Sequence, residues 1–296
     1  MWPLWIGLSL IVLLGIALLI RSEWERAHPV TAAYEAGSPL IAKDGAPLRI
    51  LYLADLHGKV FPKENEALKK ILSETDYDLV LLGGDMMTTF RSAEKDRKAL
   101  KLLLSNIKEG VPVIFAPGNH EQRMLARREK DPDWEPRFRE ILREYGVRFL
   151  QDETVPFSRR GEEILISALD LPQEAYKAGP KRTLPAGFFE EKLGRKADDR
   201  FTVLLLHSPL YLDEAAEWGA DLTLSGHFHG GTIRLFGRGL MTPQYQFFYP
   251  RCQGIFEIQG KTGIVSAGLG THSVNVRLFD RPEAVLVTLV HKEGAR

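Results

Sequence analysis

Residues 2–20 carry no charge and consist mostly of Leu, Ile, Val and Trp. As a helix rising about 1.5 Å per residue, they would span roughly 28 Å, close to the hydrocarbon thickness of a bilayer. The pattern predicts a single transmembrane anchor. Trp2 and Trp5 at one end and Trp24 just past the other suit the interfacial layers, and Arg21 ends the apolar run abruptly. A cleaved signal peptide is the competing reading, but the segment has no basic start and no Ala-x-Ala pattern comes after it. Arg21 and Arg26 lie just past the helix while only the terminal amine precedes it, which under the positive-inside rule leans toward a cytoplasmic location for the rest of the chain. Residues 21–47 read as a juxtamembrane linker, charged at first and then rich in Ala, Gly, Ser and Pro without periodicity. One domain over residues 48–291 fits the remaining chain.

Within that domain, Arg49 to Ala54 is a short apolar run, succeeded by apolar residues at helical spacing (Ala67, Leu68, Ile71, Leu72). Strand then helix recurs with Leu79 to Leu82, Ala93 to Lys108 and Val111 to Ala116. A charged helical region then extends from about Gln122 to Tyr145, broken around Asp131-Pro132-Asp133. This alternation predicts a largely parallel sheet covered by helices. From Val147 onward strand-like runs dominate: Ile164 to Ala168, Phe201 to Leu206, Leu222 to Ser225, Gly254 to Ile258, Gly263 to Ala267, Val274 to Leu278 and Ala284 to Val290. A layered α/β sandwich, with two sheets flanked by helices, accommodates both halves.

Composition narrows the chemistry. Of 296 residues, 39 are Lys or Arg and 39 are Asp or Glu, so no global field points to nucleic acid or to an acidic partner. Any recognition of phosphate must therefore be local. Cys252 is the only cysteine, which rules out an intrachain disulfide and cysteine-rich zinc sites.

Several apolar runs lead into metal-binding residue types. Ile50 to Ala54 runs into Asp55-Leu56-His57-Gly58, Leu79 to Leu82 into Gly83-Gly84-Asp85, and Val113 to Ala116 into Pro117-Gly118-Asn119-His120-Glu121. Phe201 to Leu206 runs into His207, and Leu222 to Leu224 into Ser225-Gly226-His227-Phe228-His229-Gly230-Gly231. The carboxyl ends of parallel strands form the ligand crevice in α/β sheets, so these five tips are expected to converge on one edge. A lone histidine or a single Asp-x-His carries little weight, because histidine is often structural and aspartate also caps helices. The combined set differs: carboxylates, imidazoles and an amide suit manganese, iron, cobalt, nickel or zinc. An aspartate shared between two cations would hold them about 3.5–4 Å apart, a spacing suited to activating water and clamping phosphate. The glycines in these tips permit tight turns and close backbone approach.

In their order and approximate spacing, Asp55-x-His57, Gly84-Asp85, Gly118-Asn119-His120-Glu121, His207 and Gly226-His227-x-His229 resemble the calcineurin-like metallophosphoesterases. The resemblance covers about residues 48–291. The Gly226 to Gly231 block with Ile233-Arg234 after it, and the ending from Gly268-Leu269-Gly270 through Arg277 to Arg281-Pro282-Glu283, are similar to the membrane-associated branch of bacterial phosphodiesterases and UDP-diacylglucosamine pyrophosphatases.

The resemblance implies a four-layer α/β/β/α sandwich and two divalent metal ions, manganese foremost. Asp55, His57 and His229 would hold the first ion, and Asn119, His207 and His227 the second, with Asp85 bridging. His120 would be the acid for the leaving oxygen, and metal-bound hydroxide would attack phosphorus in line. The expected partner is a phosphate-containing small molecule or a lipid-linked substrate, cleaved at a phosphodiester or pyrophosphate bond. A phosphomonoesterase, a soluble-nucleotide phosphodiesterase and a non-catalytic metal-binding scaffold are the alternatives.

Other residues admit two readings. Arg277 suits a bidentate phosphate contact or a solvated strand end, and His272 and Asn275 share that ambiguity. Arg123, Arg127 and Arg128 with Met124 and Leu125 form either a lipid-facing rim or, more simply, an ordinary solvent-facing helix. Phe188, Phe189, Phe247, Phe248 and Tyr249 suggest an acyl groove, although aromatic residues are core material first. Ser208 lacks a nucleophile-elbow setting, and no Walker motif is present.

Overall fold

The computed structural model describes residues 2–88, 93–127, 129, 131–197, 199–271 and 274–293. The first half runs α1 (Trp2–Ala27), β1 (Val30–Ser38), β2 (Arg49–Leu53), α2 (Pro62–Glu74), β3 (Leu79–Leu82), α3 (Ala93–Leu104), β4 (Val113–Phe115), α4 (Asn119–Ala126), α5 (Trp134–Glu144) and β5 (Val147–Phe149). The second half runs β6 (Glu153–Arg159), β7 (Glu162–Leu169), α6 (Phe188–Leu193), β8 (Thr202–Leu206), α7 (Leu212–Trp218) and β9 (Leu222–Ser225). It continues through the short hairpin β10 (Arg234–Leu235) and β11 (Arg238–Gly239), then β12 (Gly254–Ile258), β13 (Lys261–Val265) and β14 (Glu283–His291).

Two six-stranded sheets result, ordered β1-β14-β2-β3-β4-β5 and β12-β13-β9-β8-β7-β6. In the first, β2, β3, β4 and β5 pair in parallel, while β14 runs antiparallel to β2. In the second, β7, β8, β9 and β13 are parallel, and β6 and β12 close the edges antiparallel. The central strands have no polar face because both of their faces are buried. In β2, Ile50 and Tyr52 point into the core between the sheets, where they meet Ile166, Val203, Leu205 and Leu224, among others. Leu51 and Leu53 point the other way, into a core shared with Leu68 and Leu72 of α2, Leu100 and Leu103 of α3 and Phe138 of α5. Trp134, Phe138, Ile141 and Leu142 make the buried stripe of α5 at the spacing of one helical face. A third core joins Leu204 and Leu206 of β8 to Phe189 of α6 and Ala215 of α7. The layers are therefore helix, sheet, sheet, helix, as expected.

Three sequence expectations need correction. The stretch expected to be a linker over residues 21–47 is largely ordered: α1 continues to Ala27, and Val30–Ser38 forms an edge strand parallel to β14 from Val30↔Glu283 to Ser38↔His291. Its small residues carry little hydrophobic signal, and the main-chain ladder with β14 holds it in place. Val274 to Leu278 is not a strand; a single bridge from Leu278 to Ile233 is all the pairing it makes among the described residues. The apolar helix is also longer than the stretch 2–20. The segment Pro3–Ala27 is long and apolar enough to cross a membrane, with none of its most apolar window buried against the rest of the chain.

Candidate metal centre

The carboxyl ends of β2, β3, β4, β8 and β9 deliver Asp55, Asp85, Asn119, His207 and His227 into one buried volume. His57 and His229 come within a few residues of these tips, and all seven are at most 6% exposed. Ligand atoms of Asp55, His57 and His229 lie within 4.8 Å of one another, and so do those of Asp85, His207 and His227. A third such set, His57, Asp85 and His120, overlaps both. Asp85 Oδ2 stands 3.2 Å from His207 Nε2, 3.7 Å from His57 Nε2 and 3.9 Å from His120 Nε2. Asp55 Oδ1 is 3.7 Å from His229 Nε2 and 3.8 Å from both His57 Nε2 and His207 Nε2. Every residue assigned to the site from sequence thus lies at this one edge.

Backbone conformation adds a second, independent sign. Asp55, His57, Asp85, His227 and His229 all sit at φ between 47° and 67°, a left-handed region that costs a non-glycine residue on the order of 1–3 kcal/mol. Five strained residues in one cluster require a surrounding structure that over-determines them. Part of that frame is glycine: at Gly84, with φ 89°, a Cβ would come within 2.3 Å of the Gly118 amide nitrogen, so β3 and β4 can bring their tips together only without side chains there. The amides of His227 and His120 complete the frame, donating to the carboxylates of Asp55 (3.0 and 3.1 Å) and Asp85 (2.8 Å).

The electrostatics of this cluster suit cations. Burial pushes Asp55 up to about 7, despite the opposing pull of His207. The same burial acts on Asp85, yet His207, His120 and His57 hold it well below the usual carboxylate range. His207 is raised to about 10, because Asp85 and Asp55 outweigh its desolvation. His120 is lowered, mainly by burial, with Asp85 opposing. The imidazoles therefore compete with any cation for the same carboxylate oxygens. Asn119 Oδ1, buried at the start of α4, meets no hydrogen-bond donor among the described residues, as an amide oxygen reserved for a cation would. Hard oxygen and borderline nitrogen donors in this number fit a pair of divalent first-row ions.

Sequence reading gave Glu121 no role, although it lies inside the Gly118-Asn119-His120-Glu121 motif. Its carboxylate accepts the amides of Asp85 (2.8 Å), Gly118 (3.0 Å) and Met87 (3.0 Å), and it is completely buried. It is a positioning residue that ties the β3 and β4 tips together. Tyr176 was also missed: its ring lies 5.1 Å from that of His227 and 6.0 Å from that of His207. No spacing signal marks it, since it arrives from a connection between β7 and α6.

Arg277 fits neither of its two readings. It is 1% exposed, and its Nη2 donates to the carbonyls of Ala267 (2.6 Å), Gly268 (3.1 Å) and Gly270 (2.6 Å), while Nη1 pairs with Asp280 Oδ2 at 3.1 Å. A side chain so enclosed reaches neither phosphate nor solvent. It locks the loop whose Gly268 lies against Asp55, where a Cβ would be 2.6 Å from the aspartate's own. Asn275 accepts from Thr271 Oγ1 at 2.7 Å, and His272 lies outside the described residues.

Met124 and Leu125 pack on the first outer core, Arg123 donates to Gln173, and Arg128 lies outside the described residues. The aromatic set divides: Phe188, Phe189 and Tyr249 join the core around α6, whereas Phe247 and Phe248 are exposed. No single acyl groove contains them all.

A cavity of about 560 Å³ opens beside the cluster, bordered by His57, Lys59, Lys95, Thr271 and Asn275 and, on its far wall, by Glu23 and Arg26 at the end of α1. That end is fastened to the domain. Ser22 Oγ accepts the amide of Arg277 and Glu25 Oε2 that of Asp280, both at 3.0 Å, and the Arg26 carbonyl accepts Lys59 Nζ at 2.6 Å.

Residues 48–231 match the sequence profile of the calcineurin-like phosphoesterases. The chain is 30% identical over 259 residues to the uncharacterized protein YpbG of Bacillus subtilis, which covers 85% of this chain and 84% of that one. It is 27% identical over 253 residues to an uncharacterized metallophosphoesterase of Aquifex aeolicus, covering 84% and 87%. Against the phosphodiesterase YaeI of Escherichia coli it is 28% identical over 195 residues, covering 65% and 64%. With the five motif-bearing strand tips gathered at one edge and the profile spanning them all, the chain belongs to the calcineurin-like phosphoesterase family and is a metal-dependent phosphoesterase.

Proposed function

We propose that this protein is a membrane-anchored dinuclear phosphohydrolase that opens a phosphodiester or pyrophosphate bond, with a lipid-linked molecule as its substrate. The observation that carries the reading is the convergence of seven oxygen and nitrogen donors from five strand tips into one buried, conformationally strained cluster. Asp55, His57 and His229 would hold one cation, Asn119, His207 and His227 the other, and Asp85 would stand between them. When bound, two such ions, manganese foremost, would lower the pKa of a water and offset charge on the phosphate.

The protein's own groups supply position and protons. Glu121 accepts the Asp85 amide and the His120 amide donates to the Asp85 carboxylate, both at 2.8 Å, so the shared carboxylate is held before substrate arrives. His120 Nε2, on the Asp85 side of the cluster, is the proton donor to the leaving oxygen. Burial lowers its pKa and Asp85 partly opposes that shift, so the imidazole carries the proton it donates more readily on the acid side of neutrality. Lys95 and Arg26 around the adjoining cavity would receive further anionic groups of the substrate. The apolar helix and its fastened end support a substrate that shares the bilayer, since tethering raises encounter with molecules in the same membrane.

An activity screen of the full-length protein in detergent tests this reading, with bis-aryl phosphate, aryl monophosphate, cyclic nucleotide and UDP-lipid substrates under several metals. Metal-dependent cleavage of the diester and the UDP-lipid is expected. Preference for the monoester or the cyclic nucleotide would reassign the substrate class, and no hydrolysis across the panel with manganese supplied would leave a metal-binding scaffold.

A further inference from the structure

Phe236 is fully exposed at the tip of the β10–β11 hairpin and sits at φ 52°, flanked by Arg234 and Arg238. The two-residue turn Phe236-Gly237 has positive φ at both positions, as such hairpin turns require, so the hairpin itself holds the ring out, and the apolar exposure is what water does not offset. Phe279 repeats the combination, 56% exposed at φ 56°. The two are structurally linked, because Leu278 bridges to Ile233 and its carbonyl accepts the Arg234 amide at 2.9 Å.

Phe279 also lies where α1 meets the domain. The Arg21 guanidinium stands 5.9 Å from its ring and 5.2 Å from that of Trp24, with Arg281 5.0 Å from Trp24. Helix α1 ends its apolar run at Arg21, and its next turn is bonded to the residues flanking Phe279. The exposed aromatics therefore continue the surface from which the apolar helix departs. Aromatic rings interleaved with arginines are the chemistry of a lipid interface: the rings enter the headgroup boundary and the guanidinium groups meet lipid phosphate.

We infer that the β10–β11 hairpin and Phe279 form a second membrane contact, inserting Phe236 and Phe279 into the interfacial layer of the bilayer that holds α1, with Arg21, Arg234 and Arg238 on anionic headgroups. The inference rests on the proposed membrane anchor. With α1 and the hairpin both engaged, the domain is held at two points and cannot swing about a single tether, so the cavity beside His57 keeps a constant height above the headgroups.

Site-directed nitroxide labels on the full chain in lipid nanodiscs test it. Cys252 is 2% exposed, so Leu10→Cys, Phe236→Cys, Phe279→Cys and an exposed reference on α6, Glu190→Cys, can each be labelled selectively. Labels at 10, 236 and 279 should be relaxed more by oxygen than by a water-soluble nickel chelate, and the label at 190 should show the reverse. Adding phosphatidylglycerol to phosphatidylcholine should deepen 236. If 236 and 279 behave like 190 while 10 reports hydrocarbon, the second contact is refuted and the anchor stands. If 10 also reports water, the anchor falls and this surface with it.

Discussion

Replacing Arg277 with Met would remove the buried cation and keep most of its bulk. Three carbonyls of the 267–270 loop would lose their donor, and Asp280 would lose its partner. Breaking one side of a buried ion pair costs about 3–5 kcal/mol. Each stranded carbonyl adds on the order of 1–3 kcal/mol unless the loop relaxes toward water. Relaxation prevents the full sum, so the expected loss is about 4 kcal/mol. At about 2–4 °C per kcal/mol for a domain of this size, the apparent Tm in detergent should fall by about 8–16 °C.

The loss should also depend on pH. Burial holds Asp280 up at about 7 even with Arg277 beside it. An acid raised above its unfolded value favours the fold most when protonated, and that contribution disappears as pH rises through about 7. Without Arg277 the Asp280 pKa rises further, so the destabilisation should be smaller below pH about 7 than above it. Bound metal should fall as well, because the loosened loop no longer braces Asp55. Thermal unfolding monitored by tryptophan fluorescence across pH, paired with steady-state kinetics on a bis-aryl phosphate, gives the answer. An unchanged Tm with a raised KM would refute the structural role and make Arg277 a phosphate ligand.

His120→Asn should lower turnover on substrates with poor leaving groups by about 10²–10⁴. An activated aryl diester should be far less affected and metal content should hold; equal losses on both substrates would remove the acid assignment. Asp85→Asn should reduce metal at both positions by elemental analysis, and retention of two ions with normal activity would contradict the bridging role. Glu121→Gln keeps the shape but exchanges one acceptor oxygen for a donor facing a backbone amide. It should cost about 1.5–3 kcal/mol of stability and lower metal affinity, as read by chemical denaturation and metal titration; an undisturbed variant would mean that the Asp85 turn holds itself.

What could be read from sequence was local and periodic. Short all-apolar runs marked the central strands because both faces of a parallel sheet are buried. Residues at helical spacing marked α2, α3 and α5, and the Asp131-Pro132-Asp133 break falls between α4 and α5 as expected. The eight site residues stood out because metal-binding chemistry needs particular side-chain types, and strand tips are where such folds place them. The edge strand at 30–38 was not legible, since its stability comes from a ladder with β14 some 250 residues away (Val30↔Glu283) and hardly from its own small side chains. Arg277 shows the same limit more sharply: charge and position suggested phosphate or solvent, whereas burial under α1 turned it into a brace for the loop against Asp55. Glu121 took its role from three amides that the turns after β3 and β4 direct at it. Residue type and spacing determined which groups could do the chemistry. Which arginine is enclosed, which carboxylate positions another and where the helix end is fastened were decided by contacts between distant segments, because a side chain's solvation and partners exist only once the layers have closed around it.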